Sequence, residues 1–368
     1  MSADDRDMPA PPVEGATAAG EIDNGPFAAR QQAITTQKAI QQMTGADIWL
    51  KALQSFVSLG IADTLDDDEF RTSDDLAKVC QADPQMMDRF LHAMHAYGVM
   101  TTDERGRYGL TPLGQDLRPG AAMWAALGVI TSPLWQRAGA SLAATICTGR
   151  PHALNGEATP YPLVAADPGL AGMFATFMSS RTIGLATALA ARDFSGTRVA
   201  DLGGGDGTLL STILAGDQRL TGILIERTDV AARAATRFAE RGLAGRVDVI
   251  ADDIFADTCP PADVVIAASV LHNWDDASNL RFLSNARQAL EKGGPDAELW
   301  LVETLLPGPG IHTSGIDLDL RMMTLFAGGR ERTLPQYQEL LTQAGLTLIG
   351  DESLPGGFTL MIAITGSD

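Results

Sequence analysis

The sequence predicts an α/β protein: a helical first half, then a doubly wound, mostly parallel sheet closed by an antiparallel strand. Three observations carry this. After Gly196, short apolar runs alternate with stretches that open helices. The first of these runs ends in a glycine-rich turn. The last two are separated only by Pro355-Gly356-Gly357, a connection short enough to reverse the chain.

Taken in order, residues 1–30 are rich in Asp, Ala, Pro and Gly and poor in bulky apolar side chains, which predicts a disordered tail. Helical spacing begins at Ala33 and continues to Leu59. Ile40 and Met43 share one face, and Ile48, Ala52, Phe56 and Leu59 continue the stripe. Trp49, Leu50, Leu53 and Val57 add apolar surface on another side. A helix apolar on two faces is either buried in its own core or shared with a second subunit. Thr72 and Asp75 form a capping box for the next helix, and a further helix runs from about Pro84 to Tyr97. Val99–Thr102 and Tyr108–Leu110 flank the turn Asp103-Glu104-Arg105-Gly106-Arg107 as a hairpin.

Helix, helix, hairpin is a winged-helix outline, but the second helix carries Arg89 offset by Asp88, too little positive charge to read a DNA groove. Residues 119–190 read as all-helical and rich in Ala, Met and aromatics (Met123, Trp124, Trp135, Met173, Phe174, Phe177, Met178). These are either plain core or the lining of a pocket for a flat organic molecule. The strands expected next are Arg198–Leu202, Thr221–Glu226, Val247–Ala251, Asp263–Ala268, Ala297–Thr304, Leu346–Asp351 and Phe358–Thr365. Helices open between them near Asp206, Asp229, Asp275 and Pro335.

Composition narrows the function. The chain has 368 residues, 45% hydrophobic and 20% charged, an ordinary globular balance with room for about two to three domains. A net charge of −19 disfavours nucleic acid, whose non-specific binding rests on Lys and Arg. Cys80, Cys147 and Cys259 are widely separated and lack metal spacing, so they read as reduced thiols in a cytoplasm. The best apolar run, Ala121–Leu134, is interrupted and falls short of the ~18 residues of a membrane span. The N-terminus has neither the basic flank nor the apolar stretch of a signal peptide.

The chemistry gathers at the carboxyl ends of the expected strands, where ligands of such sheets bind. Four glycines fall within the five residues Gly203–Gly207. The dinucleotide fingerprint fails, since its third glycine would fall on Thr208 or Leu210. Asp201 before the loop would also repel a pyrophosphate, yet suits a cationic amino group. Glu226 ends the second strand and can accept both hydroxyls of a ribose. Asp252 and Asp253 end the third, within reach of an adenine edge. Asp201, Gly203, Gly205, Glu226, Asp252 and Asp253 together point to an adenosyl ligand without phosphates. The fourth strand ends in Ser269-Val270-Leu271-His272-Asn273-Trp274-Asp275-Asp276, which puts an imidazole on the ligand edge as a candidate base for a hydroxyl proton. Glu303 and Glu331 lie downstream. Each is either a solvated acid or the carboxylate that fixes the imidazole tautomer.

The glycine loop, Leu271-His272-Asn273-Trp274-Asp275-Asp276, Val302-Glu303-Thr304-Leu305-Leu306-Pro307 and Gly329-Arg330-Glu331-Arg332-Thr333 occur in a specific order. In that order the chain resembles the caffeic acid O-methyltransferase-like, class I small-molecule methyltransferases, including bacterial enzymes that tailor natural products. The likeness covers about residues 33–366. It implies a Rossmann-like seven-stranded methyltransferase sheet and a winged-helix-like N-terminal region that serves dimerisation. It also implies S-adenosylmethionine as methyl donor, S-adenosylhomocysteine as product, and no metal, since the acids lie on separate strand ends with one candidate His ligand.

Residue by residue, the resemblance implies His272 as general base bracketed by Glu303 and Glu331. It places Gly203, Glu226, Asp253 and Ile254 on the cofactor and Met178 near the acceptor pocket, where Trp274 and Met323 are also expected. Two departures stand out. Ala268 replaces the lysine of plant members, and Asn273 follows His272 where the family often has Asp. The expected organisation is a tail (1–30), a dimerisation region (31–118), a helical cover over the acceptor (119–190) and a cofactor-binding catalytic domain (191–368). The expected function is methylation of a hydroxyl on a small aromatic natural product by a homodimer with no nucleic-acid or membrane partner. Relatives that keep the fold while methylating carbon or nitrogen, or without methylating, form the alternative. A winged-helix regulator that senses S-adenosylmethionine is a further one, which the charge balance disfavours.

Overall fold

The computed structural model describes residues 36–194, 196–256 and 259–366; the expected N-terminal tail lies outside them. The first helix, α1, spans Thr36–Ser58. In its first part Ile40 and Met43 are 55% and 70% exposed. From Asp47 onward the helix contributes Phe56, fully buried, and Trp49, Leu50, Leu53 and Val57 to the N-terminal core. Ile48 is 58% exposed, so it does not continue one buried stripe with Phe56 as the spacing suggested. The helix has one face in its own core and apolar residues left over.

α2 (Ser73–Val79) starts where the capping box predicts: the Thr72 hydroxyl accepts from the Asp75 N–H and donates to its carboxylate. α3 (Pro84–Ala96) is capped by Asp83 with proline at its first position, which costs the helix no hydrogen bond. β1 (Met100–Thr102) and β2 (Tyr108–Leu110) pair antiparallel across the expected turn. One carboxylate, Asp103, organises that turn by accepting from the N–H groups of Arg105 and Arg107.

A short α4 (Pro112–Gln115) leads into the helical region, comprising α5 (Ala122–Ile130), α6 (Pro133–Ala140), α7 (Leu142–Thr148), α8 (Tyr161–Ala165) and α9 (Pro168–Ala190). Most of its Met and aromatic residues are core: Trp135, Met173, Phe174 and Phe177 pack around Val129, Leu134, Val164 and Leu170. The same cluster takes Met322, Leu325 and Phe326 from a helix that the sequence reading did not delimit, α13 (Ser314–Leu325).

The rest alternates β3 (Arg198–Leu202), α10 (Thr208–Gly216), β4 (Thr221–Glu226), α11 (Thr228–Glu240), β5 (Val247–Ala251), β6 (Val264–Ala268), α12 (Asp276–Gly293), β7 (Glu298–Glu303), α13, α14 (Leu334–Gln343), β8 (Leu346–Leu354) and β9 (Phe358–Thr365). The seven strands lie in the order β5-β4-β3-β6-β7-β9-β8. All pairs among the first five are parallel, and β9 runs antiparallel to both β7 and β8.

Each face of this sheet buries its own apolar layer. On one side Ile225, Val265, Leu299 and Met361 meet Phe282, Leu283 and Leu290 of α12 and Leu340 and Leu341 of α14. On the other, Leu224, Ile266, Trp300 and Leu360 meet Leu185 and Leu189 of α9, Leu210 and Ile213 of α10, and Phe238 of α11. Burial on both faces explains why these strands read as continuous apolar runs. The winding reverses between β3 and β6, so a crevice opens beyond their carboxyl ends. No helix among the described residues is long and apolar enough to cross a membrane.

Ile40, Met43 and Ile48 leave α1 with apolar surface that a second copy can cover. Light scattering after gel filtration should give about twice the chain mass. Removing residues 1–30 should leave that unchanged, and Ile48→Glu should shift the population toward monomer.

Candidate active site

The crevice is a cavity of about 950 Å³. Nine residues singled out from the sequence line it: Asp201, Gly203, Gly205, Glu226, Asp252, Asp253, Ile254, Met178 and Trp274. The glycine loop explains itself locally. A Cβ on Gly204 would stand 2.2 Å from the Asp201 carboxylate, so the loop can close over that acid only with glycine there. Gly205, at φ 61°, has open space where a side chain would stand, which leaves its backbone bare toward a ligand.

Asp201 is 1% exposed, and its Oδ2 has no hydrogen-bond partner. Burial, aided by Glu226 and Asp206, raises its carboxyl to about 7. An orphaned acid beneath the loop fits a cationic group bound above it. At the end of β4, burial also raises the Glu226 carboxyl; one of its oxygens accepts from the Arg227 N–H at 2.6 Å. Beyond β5, Phe255 meets Trp274 edge-on, with ring centroids 4.9 Å apart, and walls the space beside Asp252 and Asp253. Asp206, which sequence reasoning passed over as a helix start, binds three segments. Its carboxylate accepts from Ser179 of α9 at 2.6 Å, from Arg237 of α11 at 2.5 Å and from the Thr208 hydroxyl at 2.7 Å.

A second cluster stands beside the cavity. After β6, Ser269 adopts φ 56°, a left-handed backbone that costs a non-glycine residue roughly 1 kcal/mol or more. The turn aims the N–H groups of Val270 and Leu271 at Glu303 Oε1, at 3.1 and 2.8 Å. His272 follows, 6% exposed. Its Nδ1 lies 2.7 Å from Glu331 Oε1 and 3.6 Å from Glu303 Oε2. With both carboxylates on Nδ1, the proton of the neutral ring stays there and the lone pair is at Nε2.

Burial opposes charge on this imidazole. Glu303 and Glu331 more than reverse that, so its pKa rises above 6.5. Burial likewise raises Glu303 to about 7, although His272 pulls it down. Arg332 fixes the His272 loop from behind. Fully buried, it donates to the carbonyls of Leu271 and Trp274 at 3.2 and 2.9 Å and pairs with Asp276 at 2.7 Å. Asn279 Nδ2 donates to the same two carbonyls, at 3.0 and 3.2 Å. Gly329 admits this approach, because a Cβ there would stand 2.9 Å from the His272 carbonyl.

The structure thus joins the three expected catalytic residues, but behind the wall: none of them lines the cavity, whereas their neighbours Val270, Asn273 and Trp274 do. Met323 is not brought in. It is 37% exposed and lies outside the lining, while its neighbour Met322 is buried against the helical region. Nor are the acids as scattered as their places on separate strand ends suggested: His272, Glu303 and Glu331 each offer a ligand atom within 4.8 Å of one another. Even so, the 2.7 Å between Nδ1 and Oε1 is the length of a shared proton. Two ligands on one tetrahedral zinc stand roughly 3.3 Å apart.

This arrangement, an adenosyl-type crevice with a carboxylate-backed imidazole at its edge, agrees with what known proteins show. Residues 140–347 match the O-methyltransferase domain model and residues 43–118 the O-methyltransferase dimerisation domain. The chain belongs to this O-methyltransferase family, as an S-adenosylmethionine-dependent O-methyltransferase and a homodimer.

It is 32% identical over 285 residues, 76% of this chain and 83% of the relative, to the 2,7-dihydroxy-5-methyl-1-naphthoate 7-O-methyltransferase of Streptomyces carzinostaticus. It is 34% identical over 300 residues, 78% of this chain and 79% of the relative, to the aclacinomycin 10-hydroxylase RdmB of Streptomyces purpurascens. Among solved structures it is similar to NcsB1, an O-methyltransferase from neocarzinostatin biosynthesis, in complex with S-adenosylmethionine and 2-hydroxy-5-methyl naphthoic acid. There the TM-score is 0.68 and the identity 30%, over 86% of this chain and 95% of that one. The cofactor is S-adenosylmethionine, and the unpaired Asp201 carboxylate and the Glu226 strand end are suited to its ammonium and its ribose.

Asp201 yields a prediction about the ligand-free protein. A carboxyl raised from 3.8 to about 7 contributes stability that is complete below 3.8 and lost as pH climbs through 7. Asp201→Asn should therefore raise the melting temperature at pH 8, on the order of a few kcal/mol of stability, flatten its pH dependence, and weaken S-adenosylmethionine binding. Glu226→Ala should cost about 1.5–3 kcal/mol in cofactor affinity by calorimetric titration, with little change in ligand-free melting.

Proposed function

We propose that this chain methylates a phenolic hydroxyl of a small aromatic natural product, with His272 as the general base. The observation that carries the reading is the 2.7 Å contact of His272 Nδ1 with Glu331 Oε1, with Glu303 behind it at 3.6 Å, beside an adenosyl-type crevice. S-adenosylmethionine supplies an already activated methyl group on its sulfonium. The protein's own task is alignment and proton removal.

Asp201 faces the cofactor's ammonium, Glu226 accepts from its ribose, and Asp252, Asp253 and Ile254 border its adenine, with Gly203 and Gly205 giving the backbone close access. Met178 and Trp274 flank the acceptor. His272 Nε2 takes the hydroxyl proton as the oxygen attacks, and Glu331 with Glu303 stabilises the imidazolium that forms. The helical region, residues 119–190, covers the pocket and excludes water from it. Residues 31–118 form the dimerisation region and residues 191–368 the catalytic domain. The compartment is the reducing cytoplasm, which suits three free, separated thiols. The aromatic acceptor class is supported by relatives named for naphthoate and phenazine.

The likeness to a hydroxylase favours a second reading, the same cofactor site with chemistry other than methyl transfer. The two separate cleanly: methyl transfer forms S-adenosylhomocysteine in step with a methylated product, and the alternative does not.

His272→Ala should bind S-adenosylmethionine nearly as well as the parent, because the cofactor contacts come from other strand ends. Turnover should fall by about 10² to 10⁴, and adding Glu331→Gln or Glu303→Gln should cost little more. Since only the neutral ring accepts a proton, turnover should rise with pH through a pKa above 6.5 and then level off. Removing both carboxylates should shift that rise to lower pH. Retention of most turnover by His272→Ala with a phenol of ordinary acidity would assign catalysis to proximity alone.

A further inference from the structure

Six carboxylates and four arginines line the cavity, and three of those arginines, Arg227, Arg233 and Arg281, are exposed to water. Arg181 is different. It lies on α9 one helical turn after Met178, is half-buried, and among the described residues has no carboxylate at ion-pair distance. Its guanidinium packs against two rings, 5.9 Å from the centroid of Phe177 and 5.7 Å from that of Phe358. The rings orient the planar cation, yet they replace only part of the hydration it has lost.

Burial lowers the arginine's affinity for its proton, Glu331 opposes that, and Arg321 adds to it. Arg181 in turn lowers the pKa of His272. These mutual effects couple Arg181 to the imidazole cluster. A half-buried guanidinium on the cavity wall, with no ion-pair partner among the described residues, is suited to receive an anion.

We propose that Arg181 binds a carboxylate carried by the acceptor, so that the preferred acceptors are hydroxyaryl acids rather than neutral phenols. This rests on the acceptor reading above and narrows it to a substrate class. Planar guanidinium and carboxylate pair through two parallel N–H···O bonds, so the contact orients an aromatic acid as well as holding it. Phe177 and Phe358 flank the fork. The acid end of the acceptor is then fixed on α9 while its hydroxyl is turned toward His272.

The test uses the full chain loaded with S-adenosylhomocysteine, titrated with 3-hydroxy-2-naphthoate and with its methyl ester and read by ligand fluorescence. The parent should bind the acid at least about tenfold more tightly than the ester. Arg181→Met should abolish that preference while changing ester and S-adenosylhomocysteine affinities by less than about twofold. Arg181→Lys should restore part of it. Equal affinity of the parent for acid and ester, or binding of neither, overturns the proposal. So does loss of S-adenosylhomocysteine affinity in Arg181→Met, which would give the guanidinium to the cofactor's own carboxylate. The readout is binding, so a failure to form S-adenosylhomocysteine with any phenol would count against methyl transfer and leave this result intact.

Discussion

Two carboxylates facing one buried imidazole nitrogen constrain most of what surrounds them. A pair of buried acids costs several kcal/mol unless fixed dipoles or a cation answer them. Here the answer comes from one loop: the left-handed turn at Ser269 supplies two backbone N–H groups to Glu303, and His272 supplies Nδ1 to Glu331. Two other segments hold the geometry: Asp319 of α13 accepts from the Glu331 N–H, and Arg332 ties the loop carbonyls together. The sheet contributes as well. Glu303 can sit fully buried at the end of β7 because β9 pairs beside it, opposite Thr359, and closes that edge.

The winding order separates tasks in space. The ends of β3, β4 and β5 carry the acids and the bare glycine backbone of the adenosyl crevice, while β6, β7 and the segment before α14 carry the imidazole cluster. The two sets meet at the switch between β3 and β6. Electrostatics differ accordingly. Asp201 is an acid kept without a partner, whereas Glu303 and Glu331 are acids kept against a ring that they make more basic. One set leaves a buried acid oxygen unanswered, and the other holds its acids against a ring nitrogen.

Strands and their order of use were legible because each is a short apolar run bounded by turn chemistry, and their ends match within a residue or so except at β8, which runs on to Leu354. The glycine loop and the strand-end acids were legible for the same reason: a residue type that only one backbone or one ligand requires stands out in a single sequence. Convergence was not legible. Glu331 lies 59 residues from His272 and reaches it through a loop fixed by Arg332, whose four acceptors no local pattern announces. No local pattern announces that α13, which the sequence reading did not delimit, turns Met322 and not Met323 into the cluster with Val129 and Leu134. The imidazole's place behind the wall, and the ring-flanked Arg181, likewise depend on how α9 and β9 approach one another.

Asp206 shows what a single carboxylate can do to the independence of parts. It belongs to the glycine loop, yet it is gripped by Ser179 from the helix over the acceptor side and by Arg237 from α11 on the far flank. Without the Ser179 hydroxyl that acid would lose one donor, and a partly buried charge would be less well answered. The glycine loop, the helix beside it and α11 are therefore not independent parts: one carboxylate, gripped from three sides at the cavity wall, ties them together.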